Sequence, residues 1–176
     1  MTSEELQNIF YSGYPAATSW DVLDGLFIAI ERSAVIYRSE PLITKEAYGV
    51  ICNSVVSIDG LGPQEKGHMA LKQIARDYLY KTYMIDSLSE TYFVGLHPDV
   101  RSTDGRYIIE CGTTDPSCIS IFLDDSNVIW VGNISYPFAD ETHLALHIFS
   151  RGDLYNQWRQ ENVSRNRAVF EKYHRK

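Results

Sequence analysis

The chain reads as a mixed α/β domain, a small mixed β-sheet flanked by helices. Three observations predict this. Apolar residues recur at three- and four-residue spacing through the first half. β-Branched and aromatic runs set off by Asp-Gly and Asp-Asp turns occupy the stretch from Thr91 to Gly132. Helix-capping residues return after that stretch, which places helices on both sides of a central sheet.

The elements follow in chain order. Ser19 can cap a helix whose Val22, Leu23, Leu26, Phe27, Ile30 and Ala34 form one apolar stripe, predicting a helix over 19–37. Pro41 ends what precedes it, and Thr44 opens a second helix through AYGVICNSVV. IDGLGP then breaks the chain. A third helix over 64–85 sets Leu71, Ile74, Ala75, Tyr78 and Leu79 on one face and Lys72, Arg76 and Asp77 elsewhere. TYFVGL, RYIIEC and NVIWVG are expected as three strands, the second reached through the Asp104-Gly105 turn and the third after Asp124-Asp125. Between those two, Asp115 caps a short helix, SCISIFL, with Pro116 at its first position. Asp140 is expected to open a helix, HLALHIFSR, closed by Gly152, and Asp153 a last one.

At 176 residues the chain suits a single domain over 1–176, and 44% hydrophobic with 22% charged residues is a globular composition. The net charge of −7 opposes a polyanion, so autonomous nucleic-acid binding is expected to be weak. Cys52, Cys111 and Cys118 form no CxxC pair, which argues against a disulfide framework or a thiolate zinc site and for reduced intracellular thiols. No apolar run approaches the roughly 20 residues that span a bilayer, and MTSEELQNIF lacks a secretory pattern. The ending EKYHRK suggests a fragment of a longer protein.

Metal-dependent nucleases need hard oxygen ligands at strand ends, fixed so that Mg²⁺ or Mn²⁺ can polarise a phosphate and activate water. Asp99, after Pro98, and Glu110, eleven residues on and across the Asp104-Gly105 hairpin, have the spacing to meet by antiparallel pairing. The alternative is a turn aspartate and a sheet-edge glutamate. His143 and His147 stand four apart as in a zinc helix, but HLALH has Leu144 where a general-base glutamate belongs. GLGPQEKG lacks the Lys-Ser/Thr ending of a phosphate loop and reads as a turn.

PDVRSTDGRYIIECGTT resembles the PD…ExG-T segment of the N-terminal domain of the orthomyxovirus polymerase acidic protein, PA. AYGVICNSVVSIDG is similar to that family's Ala-Ile-Cys-Thr-His helix, and SRGDLYNQWRQENVSR to its last helix, so the resemblance covers roughly 45 to 167. It implies a PD-(D/E)XK nuclease-like fold and cap-snatching, the cleavage of host capped RNA to prime viral transcription. It further implies Asp99, Glu110 and the Cys111 backbone carbonyl as ligands of Mn²⁺ or Mg²⁺. The family histidine falls on Ser54, which cannot replace an imidazole, and the family lysine on Asp125, preceded by Asp124. The third family acid falls near Leu71, with Glu65 as a substitute.

Losing one transition-state stabiliser commonly costs on the order of 10² to 10³ in rate, and reversing its charge should cost more. The expectation is therefore a degenerate endonuclease-like domain, of thogotovirus-like kind, without a metal cofactor. It would act structurally beside the other subunits of a heterotrimeric polymerase, in the host nucleus, touching RNA weakly and no membrane. The rival is a working metal-dependent endonuclease in which Glu65, His68 or His97 replaces the lost ligand and Lys66 or Lys72 the lost amine.

Overall fold

The computed structural model describes residues 20–55, 63–89, 91–93, 95–112, 116–131 and 142–161. Its elements are α1 (Trp20–Glu31), β1 (Val35–Thr44), α2 (Lys45–Ser54), α3 (Pro63–Tyr83), β2 (Ser87–Ser89), β3 (Val100–Ser102), β4 (Tyr107–Cys111), α4 (Pro116–Phe122), β5 (Asn127–Val131) and β6 (His143–Arg151). A final helical segment, α5, covers 155–161. The six strands form one mixed sheet in the order β1-β6-β5-β4-β3-β2, antiparallel except between β4 and β5. Among the described residues no helix is long and apolar enough to cross a membrane.

Several expected elements stand. Thr44 caps α2, its hydroxyl accepting the Ala47 amide at 3.2 Å. α3 buries Ala70, Leu71, Ile74, Ala75 and Leu79, the i, i+3, i+4 stripe of a helix laid on a sheet. α4 is the helical crossover between parallel strands β4 and β5, as such a connection requires. The expected caps Ser19, Asp115 and Asp140, the turn at Gly60–Gly62 and the tail beyond Glu161 lie outside the described residues.

Other expectations are corrected. The helix expected over 19–37 stops at Glu31, because the Ala34 amide bonds back to Ala29 O at 2.8 Å while Ser33 turns left-handed at φ 56°. β1 then starts at Val35, where β-branched residues take over. HLALHIFSR is not a helix but β6, a strand in the middle of the sheet. Leu144, Leu146 and Ile148 face one core and Phe149 the other, so burial on both faces removes the alternation that would have marked a strand. The described residues of TYFVGL form no strand; among them Phe93 and Leu96 make an isolated antiparallel bridge.

Two apolar layers sandwich the sheet. α1, α4 and α5 cover one face with Leu26, Phe27, Ile119, Phe122, Tyr155 and Trp158 against Ile108, Val128 and Phe149. α2 and α3 cover the other with Tyr48, Leu71, Ile74 and Leu79 against Val100, Ile109, Ile129 and Leu146. Each fully buried Leu, Ile or Phe contributes about 1.5–3 kcal/mol, so these layers carry most of the stability.

Gly152 closes the first layer. Its amide donates to Ala34 O at 2.9 Å, and a Cβ there would stand 2.2 Å from Ser33 O. Gly152→Ala is expected to destabilise the fold by ~1–3 kcal/mol through forced backbone movement. Thermal unfolding reads this as a lowered Tm; an unchanged Tm would show that the α1–β1 turn yields freely.

Candidate functional site

The site is built from the N-terminal half of α3 and the adjacent ends of β3 and β4. Pro63 starts α3 at the position where a missing amide costs nothing, and Glu65 lies in the first turn. His68 and Lys72, four apart, then project together beside the apolar stripe. β3 begins right after Pro98 and Asp99, and its register, Val100 opposite Ile109 and Arg101 opposite Ile108, brings Asp99 to the Glu110–Cys111 end of β4.

One carboxylate ties these parts together. Asp99 Oδ2 accepts the Cys111 amide at 2.8 Å, while Oδ1 accepts His68 Nε2 at 3.0 Å and Lys72 Nζ at 3.1 Å. Three of the roughly four lone-pair directions of the carboxylate are thereby taken. The Asp99 and Lys72 side chains are only 16% and 14% exposed, so their attraction escapes most of the screening that weakens surface pairs; His68 is 40% exposed. Burial alone would raise the Asp99 carboxyl. The His68 hydrogen bond, the Cys111 amide and the charges of His68 and Lys72 outweigh it and hold the group below the usual carboxylate range.

Glu110 leaves β4 on the other side. Ile109 and Cys111 face α3 and Ile108 faces the α1–α4 layer, so alternation puts the Glu110 side chain on the face opposite α3. Its Oε1 is closed off from solvent. Cys111 sits between the charges: burial pushes its thiol well up, the Asp99 and Glu110 carboxylates add to this, and Lys72 opposes it. Such a thiol is unreactive. Among the described residues no three His, Cys, Asp or Glu side chains converge as a metal-holding group.

The remaining sequence candidates scatter. Ser54 is exposed at the end of α2, its hydroxyl donating to Ile51 O at 2.9 Å. Asp125 lies two residues before Asn127, the start of β5, which pairs with Tyr107, the first residue of β4, whereas Asp99 meets the last. That is a separation of about 13 Å along the strand. The expected anion in place of the family lysine is thus at the wrong end of the sheet. Asp124 instead anchors α5, accepting the Tyr155 hydroxyl at 2.8 Å and pairing with Arg159.

Leu71, at the third acid's counted position, is 2% exposed and packed in the core. Glu65 and His97 are exposed, the latter edge-on to Tyr92 at 5.4 Å, and Lys66 is half-buried. His143 and His147, four residues apart on a strand, are separated by about 13 Å and form no helical pair. His147 is buried, shares a hydrogen bond of 3.0 Å through Nδ1 with the Tyr37 hydroxyl, and burial pushes its pKa down to about 4. Of the substitutes the rival reading named, His68 and Lys72 stand beside Asp99. Their i, i+4 spacing was the signal available in the sequence.

Among the described residues, the donors around Asp99 do not make up the oxygen-ligand set of a paired-metal centre. Asp99 is shared with an ammonium and an imidazole, Glu110 leaves on the opposite face, and the third-acid position is a core leucine. Compared with known proteins, the chain shows no significant match to a family model, a curated protein or a solved structure.

Two pH windows follow. His147, kept neutral by burial, takes no proton between about pH 6.5 and 4 while the unfolded chain does; stability therefore falls as pH drops through that interval, by on the order of 3 kcal/mol. Asp99, depressed, contributes stability that is present above about pH 4 and lost below it. Urea unfolding across these windows should show His147→Gln removing the first slope. Asp99→Asn should lower stability by ~1–3 kcal/mol near neutral pH and converge on wild type in acid. Parallel pH profiles for wild type and both variants would contradict these assignments.

Proposed function

We propose that this chain is a PD-(D/E)XK nuclease-like domain, similar to the N-terminal domain of a viral polymerase PA subunit, that has given up paired-metal RNA cleavage and serves as a structural part of its polymerase. The observation carrying this reading is the occupied carboxylate of Asp99. With Lys72 Nζ at 3.1 Å from Oδ1, the ammonium already neutralises the Asp99 carboxylate, and Glu110 lies on the opposite face of the sheet. Two divalent ions bring four positive charges, so the pocket lacks the charge to hold both.

The antiparallel run β2-β3-β4, the α4 crossover to parallel β5 and the acidic residues at the β3–β4 end fit the nuclease-like architecture of the resemblance. The lost activity no longer rests on Asp125, which is remote, but on Lys72 and the departure of Glu110. Asp124 and Asp125 belong to the turn that holds α5.

A second reading, an active metal-dependent endonuclease acting on capped RNA, is favoured by one observation. His68 and Lys72 bring to Asp99 the imidazole and the amine that Ser54 and Asp125 do not supply. Mn²⁺ separates the two readings, because an ion binding the native state raises Tm in proportion to RT ln(1 + [L]/Kd). The structural reading expects no Tm rise at millimolar Mn²⁺, no RNA cleavage, and a Mn²⁺-dependent rise appearing in Lys72→Glu. A saturable rise in wild type, with RNA cleavage lost in Asp99→Ala, would establish the enzyme instead.

A further inference from the structure

Among the described residues both edges of the sheet are open, and they differ in chemistry. β2 is three residues long, and Asp86 and Glu90 flank it in the sequence, so pairing two copies of it about Leu88 would set carboxylate against carboxylate. β1 runs for ten residues and is paired only to β6 among the described residues. Along it Ile36 is 53% exposed and Arg38 is exposed, and the Arg38 guanidinium enters no ion pair or hydrogen bond among the described residues.

The β1–β6 ladder fixes which backbone groups face outward. The Gly152 amide donates to Ala34 O at 2.9 Å across the Val35–Arg151 pair, which marks that pair as one of the two alternating kinds, the kind that exchanges no hydrogen bonds. By alternation Tyr37, Ser39 and Pro41 also turn their backbone groups away from β6, while Ile36, Arg38 and Glu40 bond to it. Pro41 has no N–H to lose on that outer side, which is where an edge strand tolerates proline. Ser39 keeps both its amide and its carbonyl, and neither has a partner among the described residues. The bulge between Pro41 and Ile43 ends the regular edge.

An antiparallel strand laid on this edge must match outward residues with outward residues, so a second copy of β1 pairs only about a two-fold axis passing through one residue. An axis at Arg38 opposes two guanidiniums, and one at Glu40 opposes two carboxylates. An axis at Tyr37 sets Arg38 opposite Ile36 and gains no ion pair. An axis at Ser39 sets Arg38 opposite Glu40 of the second copy twice, in the non-bonded pairs where side chains come closest, and brings the two Ser39 backbones into bonding position. Glu40 is oriented for this contact. Its Oε1 accepts the Tyr78 hydroxyl at 3.0 Å, which holds the carboxylate on the α3 face that Arg38 shares, and Oε2 has no partner among the described residues. The net charge of −7 opposes association at long range, but exposed charges more than about 8 Å apart are largely screened at physiological ionic strength, so the contacts across the edge outweigh it.

We propose that β1 is a self-docking edge: two copies of the chain pair antiparallel about Ser39, joining their sheets and matching Arg38 of each copy with Glu40 of the other. The same edge is used up on both copies, so association stops at the dimer. The short, like-charged β2 edge offers no second point of growth.

Sedimentation equilibrium of the full chain from about 1 to 100 μM reads this directly. The expected result is a monomer–dimer equilibrium in wild type, with the dissociation constant raised at least about tenfold in Arg38→Glu and in Glu40→Arg, each of which sets like charges opposite one another. Mixing these two variants should recover the dimer, because the mixture restores opposite charges at both contacts. Ser39→Pro removes an N–H that faces away from β6, so it should abolish the dimer while leaving the Tm unchanged. Neither Ser39→Pro nor Arg38→Glu touches a contact within the chain, so both remain informative if the loss of the Tyr78 bond keeps Glu40→Arg from folding. Wild type that stays monomeric throughout overturns the proposal. So does a dimer indifferent to Ser39→Pro, which would lie on another surface, and so does one that Ser39→Pro abolishes but Arg38→Glu leaves unchanged, which would pair in another register.

Discussion

Asp99, at the start of β3, stands where β3, β4 and α3 meet, and its carboxylate bonds to the other two. The Cys111 amide ties it to the end of β4, while His68 and Lys72 tie it to α3. The apolar layer beneath α3 supplies most of the binding energy between helix and sheet, but apolar contact is non-directional. Hydrogen bonds to a charged acceptor have direction, and they set where along the sheet the N-terminal half of α3 comes to rest. Farther along the helix the Tyr83 ring stacks on Tyr107 at 4.4 Å and the Tyr78 hydroxyl donates to Glu40 at 3.0 Å. α3 is thus pinned to the sheet at three points.

What occupies Asp99 also governs what it can do. An ammonium has three donors, no vacant coordination position and no capacity to lower the pKa of a bound water as a divalent metal does. A carboxylate neutralised this way is stable and chemically quiet. Cys111, embedded among the same charges, is quiet for the complementary reason, since its thiolate would be buried beside two carboxylates. The proposed loss of cleavage therefore rests on charge and occupancy at one strand end.

Much of this could be read from the sequence, with failures that have physical causes. α2, α3, α4, β4 and β5 follow from caps, stripes and β-branched runs close to where they occur. β6 escapes the sequence pattern because both its faces are buried, so HLALHIFSR shows no alternation and its Leu and His spacing imitates a helix. α1 is shorter than its apolar stripe because nothing local announces that Ser33 adopts a left-handed turn. The approach of Asp99 to the end of β4 is legible from the hairpin between them, but the expected meeting of its carboxylate with that of Glu110 does not occur, because alternation turns Glu110 to the other face. The displacement of Asp125 was not: counting along the chain ignores that a parallel crossover returns the chain to the start of the neighbouring strand, so a residue just before β5 lies at the beginning of β4. Lys72 and His68 stand four apart in the sequence, but only packing reveals which flank of α3 turns toward Asp99.

The coupling between Asp99 and Lys72 tests this account most directly. A double-mutant cycle with Asp99→Asn, Lys72→Met and the combined variant, read by urea unfolding near neutral pH, isolates the pair from its surroundings. The account predicts a favourable coupling of ~1–3 kcal/mol, with the double variant more stable than the sum of the single losses implies. A coupling indistinguishable from zero would mean that the lysine does not hold this carboxylate, leaving Asp99 available to a metal ion.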